Sequence, residues 1–166
     1  MSVSSFSSLK LDPLLLNAVA LNNYTTPTAI QLKTIPPILA GSDVMGSAQT
    51  GTGKTAAFVL PLLHKLLNTP KKDEAGVARI VILTPTRELA QQVFSSFEKY
   101  AQGTHILGAL VYGGASIGPQ IKALKSAQVI WFIRNKSYLC HSGLPIYKTM
   151  YKRIVRIGAE VFFLSR

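Results

Sequence analysis

Apolar residues follow two different spacings along this chain, and the two spacings predict strands and helices in turn. The run Ile80 to Leu83 is short, continuous and rich in β-branched residues, as expected of a strand buried on both faces. Residues 86–100 instead place Leu89, Val93 and Phe97 on one side of a helix. The chain therefore passes from a buried strand into an amphipathic helix at this point.

The same alternation runs through most of the chain. The patterns predict helices at 12–21, 27–38, 55–67, 86–100 and 116–126. They predict strands at 43–47, 79–84 and 106–111, with a further strand beginning at 128. Strands alternating with helices indicate βαβ crossovers and a parallel sheet covered on both faces. We therefore predict an α/β fold.

Composition narrows the class of protein. The 166 residues carry 18 Lys and Arg against 7 Asp and Glu, a formal charge of +11, which favours a polyanionic partner. The single cysteine excludes an internal disulfide. Because no apolar run reaches a membrane span and the first residues do not resemble a signal peptide, we expect a soluble, cytoplasmic protein.

The charge is distributed unevenly. Residues 1–130 hold 11 basic and 6 acidic side chains, whereas residues 131–166 hold 7 basic and 1 acidic. Half of the 14 aromatic residues also lie in the second segment. Such a break in composition indicates a change of domain or of origin near residue 130.

A glycine-rich segment between a predicted strand and a predicted helix is the sharpest chemical signal. The segment consists of Ala48, Gln49, Thr50, Gly51, Thr52, Gly53, Lys54 and Thr55. Glycines let backbone N–H groups face an anion, and the following helix directs its positive end there. Lys54 could then reach the β- and γ-phosphates of a nucleotide, and Thr55 could bind Mg²⁺. The alternative is an ordinary turn with a solvated lysine.

Four segments together resemble one protein family. Residues 48–55 resemble motif I of the DEAD-box ATP-dependent RNA helicases. Residues 23–31 resemble the family's Q motif, residues 85–90 its motif Ia, and residues 112–114 its GG motif. The residues of these four segments are most similar to those of the bacterial RhlE-like subgroup. The resemblance covers residues from about 6 to 130 and implies a RecA-like P-loop domain.

The resemblance implies an ATP site. Gln31 would bind the adenine edge, Tyr24 would stack on the base, and residues 48–55 would hold the phosphates with Mg²⁺. An amide suits adenine because it donates and accepts side by side. Gln31 also fits a different interpretation, since Thr28 and Gln31 have the spacing of a helix capping box.

The resemblance also implies RNA as the partner, bound through its sugar–phosphate backbone without sequence readout. The residues concerned are Pro85, Thr86, Arg87, Gly113 and Gly114. Arg87 in the first turn of a helix is disfavoured by the helix dipole, and a bound anion would relieve this. The alternatives are a surface pair of Arg87 with Glu88, and a plain turn at the two glycines.

The resemblance stops near residue 130. The family's TPGR motif, acidic DEAD box, SAT motif and second RecA-like lobe are not found in this sequence. Residues 73–76 nearly spell the acidic box, but they lie in a polar loop ahead of a strand rather than after one. We therefore predict two parts: residues 1–130 from the ATP-binding lobe, and a basic aromatic tail, 131–166.

The expected function follows from these parts. The tail is either an RNA-binding extension or frameshifted or foreign sequence, and the position of the break favours the second. We expect an incomplete RecA-like domain with Lys54 and Thr55 as its catalytic residues but weak or absent ATPase and no unwinding. The alternatives are a non-enzymatic basic RNA-binding stub and an unrelated P-loop NTPase. The three histidines are expected to be structural or surface residues.

Overall fold

A six-stranded sheet with helices packed against it forms the fold in a computed structural model, which describes residues 5–69, 79–133, 153–157 and 160–164. The helices are α1 (Pro13–Leu21), α2 (Ala29–Ala40), α3 (Lys54–Asn68), α4 (Arg87–Ala101) and α5 (Ile117–Leu124). The strands are β1 (Val44–Gly46), β2 (Ile80–Thr84), β3 (Gly108–Val111), β4 (Val129–Ile133), β5 (Arg153–Ile157) and β6 (Glu160–Leu164). The α/β prediction is confirmed.

Local sequence signals set the helix ends. The Asp12 side chain accepts a hydrogen bond from the backbone N–H of Leu14 at 3.0 Å, which caps α1. Gly41 ends α2 in the left-handed conformation at φ 87°. Helix α3 continues through Pro61, although a proline inside a helix removes one backbone hydrogen bond.

The sheet is mixed rather than purely parallel. Its strand order is β1-β5-β6-β2-β4-β3. Strand β6 runs antiparallel to both β5 and β2, whereas the β1–β5, β2–β4 and β3–β4 pairs are parallel. Strands β5 and β6 come from the segment expected to be a separate tail, and no sequence pattern predicted them. They separate β1 from β2 in the sheet.

These strand directions place four carboxyl ends together. Because β6 opposes both of its neighbours, β1 and β2 run parallel to each other. The carboxyl ends of β1, β2, β3 and β4 therefore lie at the same edge of the sheet. Ligands bind at this edge in open α/β sheets.

Helix α3 is the centre of the hydrophobic core. Its residues 56–63 are all buried, and Phe58 and Leu60 have no exposed surface. In β2, Ile80 and Ile82 on one face are each 1% exposed and Val81 on the other face is 5% exposed, which confirms a strand buried on both faces. Side chains of α3 and β2 belong to the same hydrophobic core, from whose ends the loops of the site extend.

Some sequence predictions fall outside the described residues. These are the polar loop at 70–76, with its near match to the acidic box, and the segment containing Cys140 and His141. Within the described part of the chain, no helix is long and apolar enough to cross a membrane.

Candidate functional site

Three of the predicted motifs follow parallel strands at the carboxyl edge of the sheet. Residues 48–53 lead from β1 into α3, Pro85 and Thr86 join β2 to α4, and residues 112–116 join β3 to α5. Strands β1 and β2 are three steps apart in the sheet order, or about 14 Å at the usual strand spacing. The glycine-rich loop therefore lies at the same end of the strands as the other two loops, about 14 Å from the loop after β2 and about 24 Å from the loop after β3.

The loop at residues 48–55 has the backbone that anion binding requires. Gly51 and Gly53 adopt positive φ angles of 84° and 80°. Gly53 is the N-cap of α3, and no side chain caps this helix end. The first N–H groups of α3 therefore point out of the helix without a side-chain partner, as a phosphate site needs. Thr55, in the first turn, is half-buried.

Lys54 folds back over this loop. Its Nζ donates hydrogen bonds to the carbonyl oxygens of Ala48 at 2.6 Å and Gln49 at 2.8 Å. The loop is also closed internally, since the Thr52 hydroxyl donates to the Gln49 carbonyl at 2.7 Å. An ammonium group has three donors, so one remains for a phosphate oxygen. The lysine is thus held inside the loop where phosphates would lie.

Gln31 joins the predicted Q motif to the glycine-rich loop. Its Nε2 donates to the Gly53 carbonyl at 3.1 Å, and its Oε1 accepts from the Thr28 backbone N–H at 2.9 Å. The capping box foreseen from the spacing of Thr28 and Gln31 is therefore present. Gln31 is only 1% exposed. Its amide still has one donor and one acceptor in reserve, the pair that an adenine edge requires.

Tyr24 lies beside Tyr100 of α4. It is 46% exposed, and its ring centroid lies 6.1 Å from that of Tyr100, in the last turn of α4, at an interplanar angle of 48°. Tyr100 is buried, and this burial, followed by a hydrogen bond with Tyr24, raises its pKa above the usual value. Gln31 and Gly53 meet instead at the start of α3. The structure therefore links Tyr24 to α4.

The loop after β2 is exposed and ends in a cap. Pro85, Thr86 and Arg87 are all exposed. The Thr86 side chain accepts from the backbone N–H of Leu89 at 3.2 Å and caps α4. Arg87 forms no ion pair with Glu88 or any other acid in the described part of the chain, so the surface-pair alternative is not supported.

Arg87 instead contacts the loop after β3. Its guanidinium carbon lies 5.7 Å from the centroid of the Tyr112 ring, within cation–π range. A Cβ added to Gly114 would lie 2.8 Å from Arg87 Nη2, and Gly114 has a φ of 79°. The predicted motif Ia and GG residues therefore meet. The backbone angle favours glycine at position 114, and a larger residue there would displace the end of the Arg87 side chain.

Gln120 was missed by the sequence analysis. Its side chain bonds to the backbone of Tyr112 and to the loop that follows. A lone glutamine at a helix start carries no distinctive sequence signal, so only the folded chain assigns it to this site.

Two of the three histidines fall in the described part of the chain, and both His64 and His105 lie outside these loops. His105 is exposed, and His64 Nδ1 is buried without a hydrogen-bond partner. Throughout the described residues, no cluster of three or more His, Cys, Asp or Glu could hold a metal ion.

Comparison with known proteins agrees with this geometry. Residues 28–141 match the family described as DEAD/DEAH box helicase. The match thus includes α2, the glycine-rich loop, the loops after β2 and β3, and residues beyond 130.

Similar curated proteins carry RNA helicase names. The chain is 50% identical over 167 residues to "ATP-dependent RNA helicase SrmB" of Haemophilus influenzae, covering 95% of this chain and 38% of the relative. It is 43% identical to the Escherichia coli protein of the same name, covering 86% and 34%. The chain thus spans little more than a third of the length of these relatives.

Solved structures share the fold. A DEAD box protein from the hyperthermophile Methanococcus jannaschii matches with a TM-score of 0.66 and 39% identity, covering 76% of this chain and 33% of that one. The RNA-helicase Prp28 from Chaetomium thermophilum, bound to ADP, matches with a TM-score of 0.73 and 25% identity, covering 98% and 51%.

Proposed function

Because this chain belongs to the DEAD/DEAH box helicase family, we propose that it binds ATP at the glycine-rich loop and RNA at the loops after β2 and β3. It is the N-terminal part of a DEAD-box RNA helicase, with the RecA-like fold of that domain. The observation that carries the ATP proposal is the hydrogen bond from Gln31 Nε2 to the Gly53 carbonyl. It joins the residue proposed for adenine to the loop proposed for phosphates.

The loop at 48–55 fits the phosphates of ATP. The uncapped start of α3 offers backbone donors, and Lys54 offers a positive charge within the loop. On this proposal Lys54 exchanges its bonds to Ala48 and Gln49 for phosphate oxygens, and Thr55 contributes its hydroxyl to Mg²⁺, which would neutralise phosphate charge. Bound ADP in the similar Prp28 structure is consistent with this proposal.

The RNA proposal concerns Pro85, Thr86, Arg87, Gly113 and Gly114. The start of α4 supplies positive dipole at an exposed edge, and Arg87 carries a charge that no described acid neutralises. Contacts of this kind position a phosphate backbone without reading its sequence. The names of the similar proteins as RNA helicases support RNA as the polymer.

Hydrolysis forms a separate part of the proposal. The sequence contains no Asp-Glu-Ala-Asp segment, and phosphoryl transfer needs a carboxylate that holds Mg²⁺ in addition to the loop. We therefore propose that these 166 residues by themselves bind ATP with little or no turnover and do not unwind RNA. RNA-stimulated release of phosphate by the purified chain, measured against a Lys54→Ala control, would contradict this part.

The ATP proposal is tested by titrating a fluorescent ATP analogue into the purified chain with Mg²⁺. We expect Lys54→Ala to weaken binding at least about tenfold, the usual effect of losing a charge-assisted hydrogen bond. Lys33→Ala, an exposed lysine on α2, is the matched control and should leave binding unchanged. Equal binding by the Lys54→Ala chain and the parent chain would contradict the assignment.

Adenine recognition is tested separately. Competition by unlabelled ATP, GTP and CTP should show a preference for ATP in the parent chain, and Gln31→Ala should remove the preference. A preference for ATP that survives Gln31→Ala would limit the role of Gln31 to capping α2.

Three statements stay predictions from the sequence. They are the boundary near residue 130, the origin of residues 131–166, and the location of the protein in the cytoplasm.

A further inference from the structure

The side chain of Gln120 acts on the backbone of Tyr112 as a neighbouring strand would. Its Oε1 accepts from the Tyr112 N–H at 3.1 Å, and its Nε2 donates to the Tyr112 carbonyl at 3.2 Å. The same Nε2 lies 3.2 Å from the Ser116 carbonyl and 3.5 Å from that of Ala115. One amide therefore ties together both ends of the loop at 112–116.

The Gln120 side chain supplies hydrogen bonds to the backbone at the point where the pairing of β3 with β4 ends. Strand β3 is the last strand in the sheet order, and its pairing with β4 stops at Val111. Tyr112, the next residue, is half-buried, so its backbone groups need partners inside the protein. Gln120 supplies a partner to both of them and so fixes where the loop leaves the sheet.

The loop at 112–116 also contacts the side chain of Arg87. The guanidinium faces the Tyr112 ring, and Gly114 leaves the space that a larger residue would close. Arg87 lies in the first turn of α4, where the helix dipole disfavours a cation by about 0.3–1 kcal/mol. Its side-chain position therefore depends on contacts from the loop after β3 rather than on its own helix.

We propose that Gln120 is a positioning residue for RNA binding: it holds the loop at 112–116 in the shape that directs Arg87 towards a backbone phosphate. This inference rests on the proposed RNA function. Gln120 itself does not touch RNA in this account. Its effect passes through Tyr112 and Gly114 to the arginine.

The first test uses NMR of the full chain and needs no RNA. The Arg87 Nε–H signal, assigned by its loss in Arg87→Met, should lie upfield of other arginines because it faces an aromatic ring. Gln120→Met, of similar size but without the amide, should move that signal to the ordinary position, as Tyr112→Leu should. Gln92→Ala, an exposed glutamine on α4, is the matched control and should not move it. An unchanged signal in Gln120→Met would overturn the proposal.

The second test measures binding of labelled oligouridylate over a range of KCl concentrations. Loss of one phosphate contact should lower the slope of log affinity against log salt by about 0.7 for a single strand. We expect this change in Arg87→Met, in Gln120→Met, and, without further loss, in the double variant, because both substitutions remove the same contact.

The outcomes separate the two proposals. A parent chain that binds no oligouridylate would refute the RNA function and, with it, the RNA role of Gln120. A parent chain that binds, together with a Gln120→Met chain that binds equally with the same salt slope, would refute only the role of Gln120. Additive losses in the double variant would also refute it, since Gln120 would then act independently of Arg87.

Discussion

Replacement of Gly53 by alanine tests the contact between Gln31 of the predicted Q motif and the glycine-rich loop. Gly53 has a φ of 80°, where an L-residue with a Cβ costs about 1–2 kcal/mol. A Cβ there would also overlap Gln31 Nε2. Gln31 is 1% exposed, so it has little room to move without breaking its hydrogen bonds.

Gly51 provides the matched comparison within the same loop. Its φ is 84°, but nothing lies within 4 Å of an added Cβ. Gly51→Ala therefore carries the backbone strain alone. Gly53→Ala adds the loss of the Gln31 bonds to Gly53 and Thr28, at about 1 kcal/mol each, with a further penalty if the amide stays buried and unpaired. We expect Gly53→Ala to lower the free energy of unfolding by about 2–3 kcal/mol more than Gly51→Ala.

Urea denaturation followed by circular dichroism measures both losses. The double variant Gln31→Ala with Gly53→Ala provides a further check, because removing the glutamine removes the overlap. Its loss should be clearly smaller than the sum of the two single losses. Equal destabilisation by Gly51→Ala and Gly53→Ala would refute the reasoning, since the contact with Gln31 would then contribute nothing to stability.

Three other predictions concern the frame around the site. Phe58→Ala should lower the free energy of unfolding by about 3–5 kcal/mol in urea, because this side chain is fully buried, whereas Leu21→Ala, at 66% exposure, should change it little. Thr86→Ala should cost about 1 kcal/mol in the same assay, because the cap on the Leu89 N–H is lost. Burial holds the pKa of Tyr100 above its usual 10.0. The unfolded chain therefore loses this proton first, and stability should fall as pH rises above 10, by at most about 1.4 kcal/mol per pH unit. Tyr100→Phe should remove this part of the alkaline loss in pH-dependent melting.

Much of the fold follows from local sequence. Buried strand β2 was predicted because four consecutive apolar residues leave no polar face, and α4 because its apolar residues share one side. The capping residues Asp12, Thr28 and Gly41 act over two to four positions, so their effect is visible in the sequence itself. The glycine-rich loop could also be predicted, because glycine, lysine and threonine occur there at fixed spacing between a strand and a helix.

The contacts of the site depend on longer distances along the chain. Gln31 meets Gly53 22 positions later, and both a capping role and a ligand role were compatible with its sequence. Arg87 reaches Tyr112 and Gly114 because their loops follow strands two places apart in the sheet. Tyr24, predicted to stack on a base, contacts Tyr100. None of these pairs is marked by a spacing.

The sequence by itself therefore determined the helices, the strands β1 to β4, the glycine-rich loop and the family, because periodicity, capping and glycine geometry act between near neighbours. The tertiary structure decided the order and direction of the strands, including the antiparallel β6, and the grouping of three loops at one edge. It also brought Gln120 to the loop that contacts Arg87. Strand pairing and side-chain packing join residues far apart in the chain, and their free energies depend on partners that no local pattern specifies.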